Sequence, residues 1–264
     1  MNNVFLITLF TLNVVLPEEP FWLLGVKTPE NYVLSIGCSK RSRLNVDAFK
    51  AAKENAILEI GQQIQANVSW KQLEVFDPTG SQEIDFVDIN TPPEILSKVI
   101  SNIVYIDSFL TNTHAYILSA YTETKNINVK KVKSLIKKVS KKMTINEYNN
   151  NGSTIPEGYV FSFHQGSNHL REKIIYCTKY AFIQIASEKN YKMSNINNDY
   201  NDGHVGYREE IFERKSNALL FNSTIKERFY NTNTNTYSIL MKVNKNNTDI
   251  KNIPLIIFFI IFIR

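Results

Sequence analysis

The side chains able to do chemistry in this chain are few and poorly gathered. Three of its four histidines, His164, His169 and His204, fall in the second half with the pair Glu209-Glu210. Zinc hydrolases place two histidines one helical turn apart around a glutamate, and structural zinc sites need compact Cys/His sets. Neither spacing occurs, so these histidines read as loop or solvated residues. The two cysteines, Cys38 and Cys177, are too few and too far apart for a disulfide framework. Cys177 occupies a small position on a helix face and reads as a structural thiol. Cys38 ends a strand beside Lys40, Arg41 and Arg43, cations that would favour a thiolate, although a small residue in a strand-to-helix turn explains it as well. The run "GCSKRS" has one glycine and no Walker spacing; Ser39, Lys40, Arg41 and Arg43 suit either a weak anion site or a solvated basic turn. No serine carries a G-x-S-x-G setting. No catalytic, cofactor-binding or metal-ligating residue is assigned, and the chain is expected not to be an enzyme.

The most heavily charged segment is "NINVKKVKSLIKKVSKKM". Read as a helix, it sets Val132, Leu135, Ile136, Val139 and Met143 on one side. Lys130, Lys131, Lys133, Lys137, Lys138, Lys141 and Lys142 form the rest. Such a row suits an anionic membrane surface or an acidic partner, or else a helix laid on its own sheet with lysines in water. Nucleic acid would be drawn by charge alone, and neither aromatic-basic interleaving nor a reader motif accompanies it. The net charge of +5 is modest.

Residues in any site need elements to hold them, and here the elements come in pairs. A chain of 264 residues, 43% of them hydrophobic, can bury a real core. "NYVLSIG" at 31–37 matches "GYVFSFHQG" at 158–166. Each is followed by an amphipathic helix: Phe49, Ala52, Ala56, Ile60 and Ile64 share a face of the first, and Ile174, Cys177, Ala181 and Ile185 a face of the second. Asn45 and Asn168 are candidate N-caps. A polar stretch follows in each copy, "FDPTGSQEIDFVDINTPP" and "NINNDYNDGHVGYREE". Two β-rich runs close each copy, "NIVYIDSFL" and "AYILSAY", then "ALLFNSTIKERFY" and "TYSILMKV", joined through Thr111-Asn112-Thr113 and Thr232-Asn233-Thr234. The expected fold is α+β: a tandem repeat of two β-α-β-β units, each with a helix packed on an antiparallel sheet. The units span 18–147, with the lysine-rich helix trailing, and 148–245. The other face of each sheet must meet solvent, the sister unit or a partner.

Both ends are apolar. "VFLITLFTLNVVL" (Val4–Leu16) has the length of a signal-peptide core, so 1–17 reads as a signal or anchor, or as a buried strand or docked helix. Residues 246–264 end in "PLIIFFIIFIR", too short to span a bilayer alone and read as a strand, a membrane-dipping tail or a truncated or disrupted end.

Pro20-Phe21-Trp22, then "YVLSIGCS", then a helix spaced with Ala48, Ala51, Ala52 and Ala56, resembles the LPP20-type bacterial envelope lipoproteins. The amino-terminal domain of the flagellar assembly protein T is similar. "AYILSAYTETKNINVKKVKSLIKKV" fits the closing strand and charged helix of that family. The resemblance covers about residues 20–140 and, more loosely, the second unit. It implies export to the periplasm or cell envelope, a non-catalytic role in a surface- or flagellum-associated assembly, and envelope protein partners. No cysteine closes the first apolar run, which puts lipidation in doubt. The alternative is a cytoplasmic or peripheral adaptor whose lysine-rich helix binds an anionic membrane.

Overall fold

A computed structural model describes residues 19–41, 45–77, 80–124, 127–138, 155–166, 169–201 and 206–244. The chain is α+β, with antiparallel sheets throughout. Its first half runs α1 (Phe21–Leu24), β1 (Gly25–Lys27), β2 (Val33–Lys40), α2 (Asn45–Ile64), β3 (Gln65–Asp77), β4 (Gly80–Asn90), α3 (Pro93–Asn102), β5 (Ile103–Leu110) and β6 (His114–Tyr121). Then come α4 (Val129–Leu135), β7 (Lys137–Lys138), β8 (Tyr159–Gln165), α5 (Leu170–Lys189), β9 (Tyr191–Asn201), β10 (Gly206–Phe221), β11 (Thr224–Asn231) and β12 (Thr236–Lys242).

The strands form three sheets, ordered β2-β6-β5, β7-β1-β11-β12-β8 and β4-β3-β10-β9. Helix α2 covers one face of the first sheet. Ala48 and Ala52 pack against Ala115 and Ile117, and Ile60 against Tyr121 and Val99. Small residues let the helix come very near: a Cβ at Gly37 would collide with the carbonyl oxygen of Ala52 and lie 2.7 Å from the Cβ of Ala56. The opposite face, Leu34, Ile36, Cys38, Tyr116, Leu118 and Ala120, joins a core shared with Trp22, Val26, Val160, Ile174 and Tyr237. Of the expected choices for that face, the second half of the chain takes it, which is why β6 is buried along its whole length.

Helix α5 is enclosed on several sides. It packs on β8 and β12 on one side and on β10 and β3 on the other. The expected row Ile174, Cys177, Ala181 and Ile185 is buried, and so is every residue from Ala181 to Ser187. Asn45 is the first residue of α2, Asn168 lies outside the described residues, and His169 holds the N-cap position of α5 without a side-chain cap bond.

Three expectations are corrected. The two stretches read as polar connections after the helices are long hairpins, β3–β4 and β9–β10. The run "ALLFNSTIKERFY" is therefore not one strand: Ala218 to Phe221 end β10, and β11 starts after Asn222-Ser223. The lysine-rich helix is seven residues long, capped by Asn128 accepting from the Lys131 N–H at 3.1 Å, and it stops at Leu135. Like charges one turn apart with no acid between them weaken such a helix, and the chain instead extends to pair Lys137 and Lys138 with Lys27 and Val26 on the edge of β1. Residues 1–17 and 246–264 lie outside the described residues.

Candidate interaction surface

The longest strands among the described residues build one four-stranded ribbon. Hairpin β3–β4 runs from Asn67 opposite Asn90 to Asp77 opposite Gly80, and β9–β10 from Tyr191 opposite Ser216 to Asn201 opposite Gly206. The two hairpins join edge to edge through β3 and β10, paired from Gln65↔Phe221 to Phe76↔Glu210. At about 3.4 Å per residue that ladder is roughly 40 Å long. Its base is anchored: Ala66, Val68, Trp70, Ala218 and Leu220 are buried, most of them in the core that contains α5. Beyond the base, β4 is exposed on both faces from Gly80 to Phe86.

Cross-strand pairs hold the emergent part together. On one face Arg214 donates to Gln72 Oε1 at 2.8 Å and Glu74 Oε2 at 3.2 Å, Gln72 donates to Glu83, and Phe76 meets Phe212 edge-on at 5.7 Å. On the other, Glu213 takes Lys71 at 3.2 Å and Lys215 at 3.4 Å. Strand β4, at the edge of the sheet, is different. Ile84 and Phe86 on it are 41% and 54% exposed, while Glu83, Asp85 and Asp88 make it acidic, with no basic residue. Burial, then the neighbouring Asp85 and Glu74, raises the pKa of Glu83; burial raises that of Asp85.

The residues singled out from the sequence are scattered. Lys130, Lys131 and Lys133 are exposed on α4, whose Val132 is buried, and Lys133 pairs with Asp107 at 3.3 Å. Lys137 and Lys138 belong to β7; Lys141 and Lys142 lie outside the described residues. The five described lysines of the row are thus divided between a short helix and a strand. His164 is buried with its ring 4.9 Å from that of Tyr176, and burial, then Lys173, lowers its pKa. His169 lies 5.3 Å from His114, ring to ring, and His204 is outside the described residues. Among the described residues no three His, Cys, Asp or Glu side chains gather as for a metal ion. Ser39 turns inward to the carbonyl of Ala48 at 2.6 Å, away from any anion at the basic turn.

Both thiols are buried. Burial and then Glu59 push Cys38 up to about 12, outweighing Arg171 and Arg228, and burial raises Cys177, which donates to the Tyr237 carbonyl at 2.9 Å. A thiol held protonated is a poor nucleophile.

Sequence reasoning missed the polar row Asn55, Glu59 and Gln63 on α2. Asn55 donates to the Cys38 carbonyl at 2.7 Å, and Gln63 to the Leu34 carbonyl at 3.0 Å, closing the edge of β2 that no strand covers among the described residues. Gln63 also accepts from the Ile225 N–H at 2.9 Å, and Arg228 on β11 pairs with Glu59 and reaches Leu34. Burial works against the charge of Arg228, but Glu59 outweighs it and raises its pKa. The i, i+4, i+8 spacing of the row was the available signal.

No family model, curated protein or solved structure matches the chain. Among the described residues no helix is long and apolar enough to cross a membrane.

Proposed function

We propose that this chain is an exported, non-enzymatic protein of the bacterial cell envelope, akin to the LPP20-type proteins, that acts as an interaction module in a surface- or flagellum-associated assembly. The observation that carries the reading is the ribbon. Its inner strands are stitched by charge pairs, yet its edge strand β4 offers Ile84 and Phe86 to solvent. Exposed apolar side chains on an open edge are what a partner strand recognises. The burial of Trp22, at 1% exposure, suits a Pro-x-Trp segment with a structural role.

The same reading takes the two halves as copies of one unit. The orders β2-β6-β5 and β8-β12-β11 correspond strand for strand, each with a bulge in its third strand, and a long hairpin follows each major helix. Gly37 lies against Ala52 on α2; the residues aligned with them, His164 and Cys177, interact through the backbone of His164. Helix α3 would then be an insertion in the first copy, and β1 and β7 additions to the sheet of the second.

Intact-mass and fractionation analysis of the native protein tests the reading. A mature chain starting near Leu16–Glu19 in the periplasmic or envelope fraction is expected, with a cross-linked partner that Phe86→Lys releases without lowering the melting temperature. An uncleaved cytosolic chain refutes export, and a partner retained by Phe86→Lys refutes the ribbon.

A further inference from the structure

A cavity of about 340 Å³ lies where α2, α5, β2 and β4 meet, at the foot of the ribbon. That volume falls in the lower part of the range for small-molecule sites, roughly 300–1,000 Å³. Its floor is Ile36, Cys38 and Ile174, all 2% exposed or less, and Val87 and Ile89 of β4 form a wall. Leu58 and Ile175, 44% and 38% exposed, stand at its rim. The raised pKa of Cys38 agrees with a dry floor.

The cavity also carries charge, and the balance is positive. Glu59 is its only acidic lining residue, and that carboxylate is already engaged by Arg228 from behind. Arg171 and Lys179 line the opposite helix and form no ion pair among the described residues. The Nε of Arg171 is buried without a hydrogen-bond partner. Asp85 feels the charge of Lys179 but is not among the lining residues.

We infer that this cavity binds a medium-chain carboxylate, its alkyl chain on Ile36, Ile174, Val87 and Ile89 and its head group at Arg171. An apolar chamber alone would take any hydrocarbon; the Arg171 guanidinium at its side, in no ion pair among the described residues, selects an anion. The size sets a scale for the length enclosed. At about 30 Å³ per water-sized group the space holds about eleven non-hydrogen atoms, an acid of eight to ten carbons. Occupancy would brace β4 against both helices and so stiffen the root of the ribbon. This site stands independently of the envelope reading.

Isothermal titration of the full chain with decanoate and with 1-decanol tests it. Decanoate is expected to bind one per chain with a dissociation constant on the order of 0.1 mM, and decanol at least about tenfold more weakly. Arg171→Gln should weaken decanoate about tenfold and leave decanol unchanged. Ile175→Trp, a change at the exposed rim, should block both ligands with an unaltered melting temperature. Equal affinity for acid and alcohol, no saturation by 1 mM decanoate (about ten times the expected constant), or full binding to Ile175→Trp would each overturn the assignment.

Discussion

Replacing Arg228 by methionine puts the seam between the two halves of the chain under direct test. Arg228 is 1% exposed and the side chain of Glu59 9%, and the two residues are 169 positions apart in sequence. Without the guanidinium, the Glu59 carboxylate is left buried and uncompensated, and the Leu34 carbonyl keeps only its bond from Gln63. Losing one member of a buried pair costs about 3–5 kcal/mol, a large share of the roughly 5–15 kcal/mol that holds a native protein together. Glu59→Met should cost about as much, because it strands a cation instead. Removing both charges together is close to neutral when the replacements pack well, so the double variant should lie within about 2 kcal/mol of the parent. The coupling energy is then about 4 kcal/mol or more. Urea unfolding followed by far-ultraviolet circular dichroism reads all four proteins. A single variant that loses less than about 1 kcal/mol, or a double variant that loses the sum of the two, would refute the buried-pair argument.

Two further perturbations separate packing from titration. Gly37→Ala sets a methyl against the backbone of α2 at Ala52 and Ala56, neither of which is a flexible side-chain end. Forcing β2 and α2 apart should cost about 3 kcal/mol or more in the same unfolding assay, and a loss below about 1 kcal/mol would mean that the helix can shift. Glu188 is half-buried on α5 with one carboxylate oxygen unpartnered, and burial raises its pKa from 4.5 to about 7. The stabilisation from its protonated form is complete below pH 4.5 and lost as the pH rises through 7. Glu188→Gln should therefore match the parent at low pH and exceed it by about 1 kcal/mol at pH 8, the figure being reduced for solvent screening. Equal melting temperatures at pH 8 would place that carboxylate in water.

What could be read from the sequence was whatever burial writes as a period. The rows of α2 and α5 and the closing runs on β6 and β12 are apolar because each faces a core, and they were legible for that reason. The ribbon was not. No residue of β4 is buried, so "EIDFVDIN" mixes acids with apolar residues, and its alternation passed for a polar connection. Helix α3 offered Pro93 at its first turn and Ile95 and Val99 one turn apart, signals that the neighbouring polar stretch obscured. The row Asn55, Glu59 and Gln63 met a different obstacle. A polar stripe on a helix normally means solvent, and its reason here, the uncovered edge of β2 and an arginine far along the chain, is a matter of tertiary contact.

The way the hairpins join limits what the ribbon can recruit. Pairing β3 with β10 covers one edge of each hairpin and leaves β4 and β9 at the margins of the sheet. Two β4 strands from separate copies would set Glu83, Asp85 and Asp88 near their own counterparts, and like charges facing each other across a ladder are destabilising. On the same reading, the acids would disfavour self-association at the edge where Ile84 and Phe86 would otherwise promote it. An incoming strand that brings lysine or arginine opposite those acids, and apolar side chains opposite Ile84 and Phe86, meets neither obstacle. On the interaction-module reading, the partner of β4 is a basic, amphipathic strand from a different protein.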